Sequence, residues 1–391
     1  MKDAMKDRLS RRVRELRYSV IREMMQRANE TPDVISLSIG EPDFVTPEAV
    51  TRAAMADALA GHTHYTASQG DPELRAAISA DIKAHQGLDI PAGRILVTHG
   101  GMGGLTAALR TLLEEGDEVL LPEPHFPDYL AHIAFAGGRP VHVPTRFTDS
   151  FVPRPEAIAA AVGPKAKVLI LNSPCNPTGA VIPGPTLDEI AKVAVAADLF
   201  VISDEVYDRL VYGAPFESIA TRPGMAERTV VIKSFSKWCA MTGWRVGYAF
   251  GPGYFMEQML KVVNYSTSCA SSVGQRAALA ALRCDPAPFA AMAKAFEERV
   301  DYLYERLAAM PGVRVSRPRG AFYIFPDFSA FGRDCRALAF ELVDTARVAT
   351  VPGYAFGPSG QGCLRLAATV DKARLATAMD RLQAFLAAKR A

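Results

Sequence analysis

Between about residue 94 and residue 251, short apolar runs alternate with longer stretches of helical periodicity. The runs fall at 95–98, 119–121, 140–143, 168–171, 200–203, 229–232 and 246–250. Each is apolar on both faces, which suits a strand covered on both sides. Alternation with helices implies parallel crossovers, so this region is expected to form an α/β unit around a mostly parallel seven-stranded sheet flanked by helices. The segment between the last two runs is too short for a helical crossover. Run 246–250 is therefore expected to lie antiparallel to its neighbours.

After Gly251 the pattern changes. Phe296, Val300, Leu303 and Leu307 recur at helical spacing amid Glu297, Glu298, Arg299 and Glu305, a long amphipathic helix. It is expected to lead into a smaller α/β domain with strands at 313–316 and 321–325. A closing helix carries Leu375, Met379, Leu382 and Leu386 on one face. The residues up to about Pro47 are expected to pack with it. The division is then a large domain over 48–290 and a small one built from both chain ends, 1–47 and 291–391. No internal repeat is visible.

A chain of 391 residues suits a large α/β domain plus a smaller one, and 49% hydrophobic content supports a large core. Net charge is +2, without a block of like charge, so neither nucleic acid nor a membrane surface is indicated as a partner. No apolar run is long enough to span a bilayer. The N-terminus, MKDAMKDRLSRRVREL, carries Asp3, Asp7 and Glu15 among its arginines and lacks the apolar core of a secretory signal. It reads as a solvated helix. Cys175, Cys239, Cys269, Cys284, Cys335 and Cys363 form no CxxC pair and no zinc spacing, which fits reduced thiols, mostly core, in a cytoplasmic protein with no metal.

The chemistry concentrates in four segments. Ser234-Phe235-Ser236-Lys237 is followed eight residues on by Arg245, within a strand–turn–strand pattern. A lysine that forms a Schiff base needs its amine held in place and a partner for any anion on its ligand. Ser234, Ser236 and Arg245 supply hydroxyl donors and a bidentate fork for phosphate. Alone, the segment leaves room for an ordinary loop lysine. Asn172-Ser173-Pro174-Cys175-Asn176-Pro177-Thr178-Gly179 follows the run 168–171, and Asp204-Glu205-Val206-Tyr207 follows 199–202. Both place polar side chains just beyond strand C-termini, the edge where open α/β sheets bind ligands. A fourth segment, Thr98-His99-Gly100-Gly101-Met102-Gly103-Gly104, follows a strand and precedes the helical run 105–113. Glycines at a helix N-terminus let main-chain N–H groups approach a phosphate. The pattern does not fit G-x-G-x-x-G, which counts against a dinucleotide.

Lysine, aspartate, asparagine and tyrosine in this order resemble the fold-type I pyridoxal-phosphate (PLP) enzymes, and most closely the class I aminotransferase family around aspartate aminotransferase. The resemblance runs from Gly40 to Arg365. It implies Lys237 as the Schiff-base lysine and proton carrier, and Asp204 as the partner of the cofactor's pyridine nitrogen. Asn176 and Tyr207 match the donors to the cofactor's phenolate oxygen. Taken alone, Asp204 also reads as a helix cap and Asn176 as a turn residue. Gly100, Gly101 and Met102 match the phosphate loop, with contact from main chain. Phe126, in Pro124-His125-Phe126-Pro127, matches the ring that stacks on the cofactor, and His125 reads as a surface histidine. Arg365 and Gly40 match the positions that hold the substrate α-carboxylate. Tyr65 matches a tyrosine that crosses to the neighbouring subunit's phosphate, which implies a homodimer with shared active sites.

The resemblance implies amine transfer between an L-amino acid and a 2-oxo acid. Relatives strict for aspartate place an arginine before an Asn-Tyr-Ser segment; here Val262 and Val263 precede Asn264-Tyr265-Ser266. Either another basic residue, such as one from the N-terminal segment, serves aspartate and 2-oxoglutarate, or the substrate is neutral or aromatic. A carbon–sulfur β-lyase on the same scaffold is the alternative. A PLP-binding regulator is less favoured, because fewer than 40 residues precede Gly40 and leave no room for a DNA-binding domain.

Overall fold

The computed structural model describes residues 8–16 and 18–390. The expected first helix falls partly outside the described residues, with Asp3 and Asp7. Its described part is a helix at Arg11–Glu15 without a buried side chain.

After a short β1 (Ile35–Ser36) come the seven strands of the main sheet. These are β2 (Ile95–Thr98), β3 (Glu118–Glu123), β4 (Arg139–Pro144), β5 (Ala166–Asn172), β6 (Phe200–Asp204), β7 (Thr229–Ser234) and β8 (Gly247–Phe250). Their order is β2-β8-β7-β6-β5-β3-β4. All seven apolar runs are strands. β8 is antiparallel to both neighbours, and the remaining pairs are parallel. Both faces of the sheet are buried except at the edge strand β4, where only Val143 is. Val97 and Val231 face a cluster with Val50, Leu74 and Ala277, whereas Leu96 and Ile232 face one with Leu105, Leu109 and Met259. That two-residue alternation between covered faces explains why the runs are apolar throughout.

The helix expected from Leu105 begins earlier, at Gly100–Leu112. Its glycines allow close approach to β7 and to the segment that follows β6. A β-carbon on Gly101 would meet Val206 Cγ1 at 3.1 Å, and one on Gly104 would meet Ile232 at 3.3 Å. Close packing outweighs the low helix propensity of glycine here.

Away from this sheet, the helix Ala287–Ala308 buries Phe296, Val300, Leu303 and Leu307. They pack with Leu375, Met379, Leu382 and Leu386 of the helix Lys372–Arg390, and with Met24 and Leu37 from the N-terminal segment. Two small sheets adjoin this core. β1 pairs in parallel with β10 (Val348–Ala349). β12 (Leu364–Ala367) lies between β11 (Val351–Pro352) and β9 (Tyr323–Ile324), antiparallel to both. The strand expected at 313–316 is reduced to one bridge, Arg314 to Asp327. Pro318, close behind it, has no N–H to extend a ladder. The one expected at 321–325 is only Tyr323–Ile324.

Candidate active site

β5, β6 and β7 end side by side, with Asn172 opposite Asp204 and Asp204 opposite Ile232. Because β8 is antiparallel, its first residue, Gly247, pairs with both Thr98 and Ser234 at this same edge. Arg245 is thereby delivered to the N-terminus of the helix Gly100–Leu112. A cavity of ≈ 340 Å³ opens there.

The cavity is lined by Gly40, Gly101, Met102, Phe126, Asn176, Asp204, Tyr207, Ser234, Ser236, Lys237, Arg245 and Arg365. Two residues singled out from sequence lie off its wall. Gly100 stands behind Arg245, where a β-carbon would approach Arg245 Nη2 to 2.7 Å; its φ of +67° also favours glycine. Tyr65 is 89% exposed on a neighbouring loop. That loop is tied to the end of the helix Gly253–Thr267 by a hydrogen bond from Ser68 to Asn264 of 2.9 Å.

Lys237 Nζ donates to the carbonyl of Gly40 at 2.7 Å. Burial pulls its pKa down to about 8; Arg365 and Arg245 add to the shift, while Glu41 and Asp204 oppose it. Asp204 is held on both oxygens: the Tyr129 hydroxyl donates to Oδ2 at 2.5 Å and the Val206 N–H to Oδ1 at 3.3 Å. Burial raises its pKa to about 6, against the hydrogen bond from Tyr129. The Tyr207 hydroxyl meets that of Tyr323 at 2.8 Å, and burial holds Tyr207 in its neutral form.

Arg365, on β12, is 1% exposed. Its Nη1 donates to Asn176 Oδ1 at 3.2 Å and its Nη2 to the carbonyl of Ser38, with Tyr323 and Phe356 rings flanking the guanidinium. Its Nε is buried without a partner. Among the described residues, no carboxylate comes within ion-pair distance of it. A buried guanidinium without an anion is costly, and a ligand's anion here would offset that cost. At the other end, Ser234 donates to Ser236 at 2.8 Å beside Arg245 and the helix N-terminus. Hydroxyls, a guanidinium and free main-chain N–H groups together suit a phosphate.

Sequence reasoning missed Tyr129, Tyr323, Asn172 and Glu41. Asn172 links the two loops, donating to the Asp204 carbonyl at 3.0 Å and accepting from the Asn176 N–H at 2.8 Å. Tyr129 sits three residues past Phe126, in the first turn of the helix Asp128–Phe135, and its ring meets Phe126 edge-on at 5.6 Å. That one-turn spacing was the available signal. His125 is corrected from surface to core. It is 2% exposed, stacked on His142, and burial takes its pKa down to about 4. Its N–H bonds to the Phe356 carbonyl, so a distant segment covers it. The six cysteines are free thiols; three are buried and three half-buried.

A lysine amine of lowered pKa, a carboxylate at the floor, a phosphate cradle and an unpaired buried guanidinium define a site for an aldehyde cofactor bearing a phosphate and for a carboxylate substrate. The family model described as aminotransferase class I and II matches residues 32–382. An aspartate aminotransferase of Pyrococcus horikoshii is 36% identical over 99% of each chain. Aromatic-amino-acid aminotransferase 2 of Thermococcus litoralis is 39% identical, over 98% of this chain and 99% of that one. The solved aspartate aminotransferase of Thermus thermophilus with maleate superposes with a TM-score of 0.91 at 36% identity, covering 96% of this chain and 99% of that one. The chain belongs to the class I and II aminotransferases, as a PLP-dependent enzyme that moves an amino group between an amino acid and a 2-oxo acid.

Proposed function

We propose the following division of labour. Lys237 is the amine that takes the cofactor's aldehyde and, once released, carries the proton at the substrate α-carbon. Asp204, oriented by Tyr129, holds a proton at the cofactor's ring nitrogen. Asn176 and Tyr207 hold its phenolate oxygen. Ser234, Ser236, Arg245 and the N–H groups at Gly100, Gly101 and Met102 bind its phosphate, Phe126 flanks the ring, and Arg365 with Gly40 holds the substrate α-carboxylate. Bound PLP supplies an electrophilic carbon and a ring that accepts electrons from the α-carbon. The chain's part is to place these atoms and exclude water.

The observation that carries this reading is Lys237. Its amine sits in a cavity with Asp204 and the unpaired Arg365 on the walls, and burial brings its pKa to about 8. An amine of that pKa is part neutral at physiological pH, as a nucleophile and proton carrier must be. The test is borohydride reduction of the loaded protein followed by peptide mapping. The pyridoxyl group is expected on Lys237, and its recovery on another lysine removes this assignment. An amino acid added to the loaded protein should bleach the visible band without releasing ammonia, which separates amine transfer from β-elimination.

A homodimer with shared sites belongs to the same proposal, with Tyr65 serving the neighbouring copy. Leu59, Tyr65 and Tyr265 are nearly fully exposed and lie close in sequence to the linked segments at Ser68 and Asn264. Apolar side chains concentrated in this way suit a second copy. Sedimentation at micromolar concentration tests it, and a monomer removes Tyr65 from the site. The two-domain division at 48–290 against 1–47 with 291–391 is proposed on an apolar core drawn mainly from the chain ends, which Tyr207, Leu210 and Tyr212 join from the larger unit. A cytoplasmic location is proposed on the six free thiols. Among the described residues no helix is long and apolar enough to cross a membrane.

A further inference from the structure

The loop that carries Tyr65 is held at two points by one side chain from a distant helix. Gln275 lies in the helix Ser272–Arg283 and is 0% exposed. Its Oε1 accepts from the Asp71 N–H at 2.7 Å. Its Nε2 donates to Thr66 Oγ1 and to the Ala270 carbonyl, each at 2.9 Å. One accepted and two donated bonds fix which way the amide points and hold three segments together. The loop also runs close to the sheet. A β-carbon on Gly70 would collide with Val97, and its φ of +109° favours glycine.

The third of these segments contains a strained turn. The helix Gly253–Thr267 ends at Ser268, with φ +61° and ψ −66°, and the Cys269 N–H bonds to the Thr267 carbonyl at 2.7 Å. Those angles and that bond define the strained form of the γ-turn. Two residues on is Ala270, whose carbonyl Gln275 holds. Ser68 reaches the same helix end through Asn264. A buried amide thus ties the loop of Tyr65 to the segment that follows Tyr265, while both tyrosine rings stand out into solvent. A fixed backbone beneath an exposed ring suits a side chain that acts outside its own chain, because little ordering is left to be done on contact.

We propose that Gln275 is a positioning residue: it preorganises the loop 63–71 so that Tyr65 reaches the phosphate held by the neighbouring copy. The inference rests on the shared-site homodimer reading and adds the residue that sets the geometry of the arm. Gln275 is not on the cavity wall, so it acts through the loop.

The test is cofactor retention, read from the visible band after gel filtration of the loaded protein. Gln275→Leu has nearly the same volume and pairs with none of the three groups. Its homodimer is expected to release PLP about 10-fold faster than the parent, the scale of one hydrogen bond to a charged group. A merely structural role would act on the variant's own site, and a mixed dimer separates the two. In a dimer of one Gln275→Leu chain and one Lys237→Ala chain, the site with Lys237 belongs to the Gln275→Leu chain. It receives Tyr65 from a chain whose Gln275 is intact, so its retention is expected to return to the parent value. Retention as poor as in the Gln275→Leu homodimer would overturn the inference. Should Gln275→Leu not fold, Thr66→Val cuts the same tie at the loop and takes its place in the pairing, with the same two outcomes. Tyr65→Phe tests the underlying reading separately. A monomer in sedimentation, or a Tyr65→Phe dimer that holds PLP as the parent does, removes that reading and the inference with it. A Tyr65→Phe dimer that releases PLP quickly, beside a Gln275→Leu dimer that does not, overturns the inference alone. In the cofactor-free protein, amide hydrogen exchange within 63–71 should be at least ~10-fold faster in Gln275→Leu, and unchanged exchange counts against the proposal.

Discussion

Lys237 and Lys233 lie four residues apart on one strand–loop segment, and the protein treats them in opposite ways. Lys233, at the end of β7, faces away from the cavity. Its Nζ meets Asp208 at 2.5 Å and Glu205 at 3.5 Å. Glu205 also accepts from Ser203 at 2.9 Å, from Gln86 at 3.1 Å and from Ser218. Next to them Arg209 pairs with Asp81 and stacks on Trp238 at 3.9 Å. Lys237 faces the cavity, donating to the Gly40 carbonyl, and among the described residues no carboxylate comes within ion-pair distance of it. The same segment, 204–209, alternates between the two sides: Asp204 and Tyr207 line the cavity, while Glu205, Asp208 and Arg209 close the ionic cluster behind it. Buried charges that are paired fix where the chain runs. Buried charges left without counter-ions have shifted pKa values and are available for chemistry.

Removing a charge on the cavity side should abolish chemistry and spare the fold. Lys237→Ala is expected to lower the rate of amine transfer by about 10⁴-fold, the upper range for loss of a proton carrier. Far-ultraviolet circular dichroism and Tm should stay near those of the parent. A variant that keeps a tenth of the parent rate breaks the comparison at its centre.

Asp204→Ala should retain the cofactor through its phosphate contacts and slow transfer by roughly 10³-fold, as expected when a charge aimed at the reacting system is lost. Cofactor retention measured by absorbance after gel filtration, beside the single-turnover rate, checks both halves. A rate equal to the parent's returns Asp204 to helix capping.

On the paired side the effect should be on stability. Lys233→Met leaves Glu205 and Asp208 buried without their cation, at a cost of about 3–5 kcal/mol. Denaturant unfolding should show the loss, while the transfer rate per folded molecule changes by less than roughly 10-fold. Loss of activity at unchanged stability would place Lys233 with the catalytic groups.

The smallest effects come from tuning. Tyr129→Phe removes the donor that holds the Asp204 pKa down, so that pKa should move above about 6 and transfer should fall by at most ~10-fold. A pH series of the variant checks this. For Lys237 in the cofactor-free protein, burial lowers the folded pKa from 10.5 to about 8. Below that value the amine is charged in both folded and unfolded states, and the folded state bears the full desolvation penalty. Between about 8 and 10.5 the unfolded chain binds more protons, so this group's contribution to stability rises with pH across that window. Capture of PLP should accelerate through the same folded pKa, and an absorbance time course at each pH would show it.

The sequence by itself determined the main sheet and most of the site. The seven runs read as strands and all seven are, six of them well buried and β4 an exposed edge strand with only Val143 buried, and the short return before Gly247 left β8 no direction but antiparallel. Ser234, Ser236 and Lys237 follow one strand directly, as Asn176 and Asp204 follow two others, so strand position alone brought them to one edge. Tertiary structure decided whatever depends on segments far apart in the chain. Arg365 reaches Asn176 and Ser38 only because β12 is inserted between β9 and β11. His125 is core because residues near Phe356 fold over it. Ile21 joins the cavity wall through a helix whose own pattern points to a different core. Apolar periodicity is a local property and can be read along the chain. The environment of a single charge, ring or wall residue is a sum over neighbours from distant segments, and only their packing fixes which lysine is paired and which is left free.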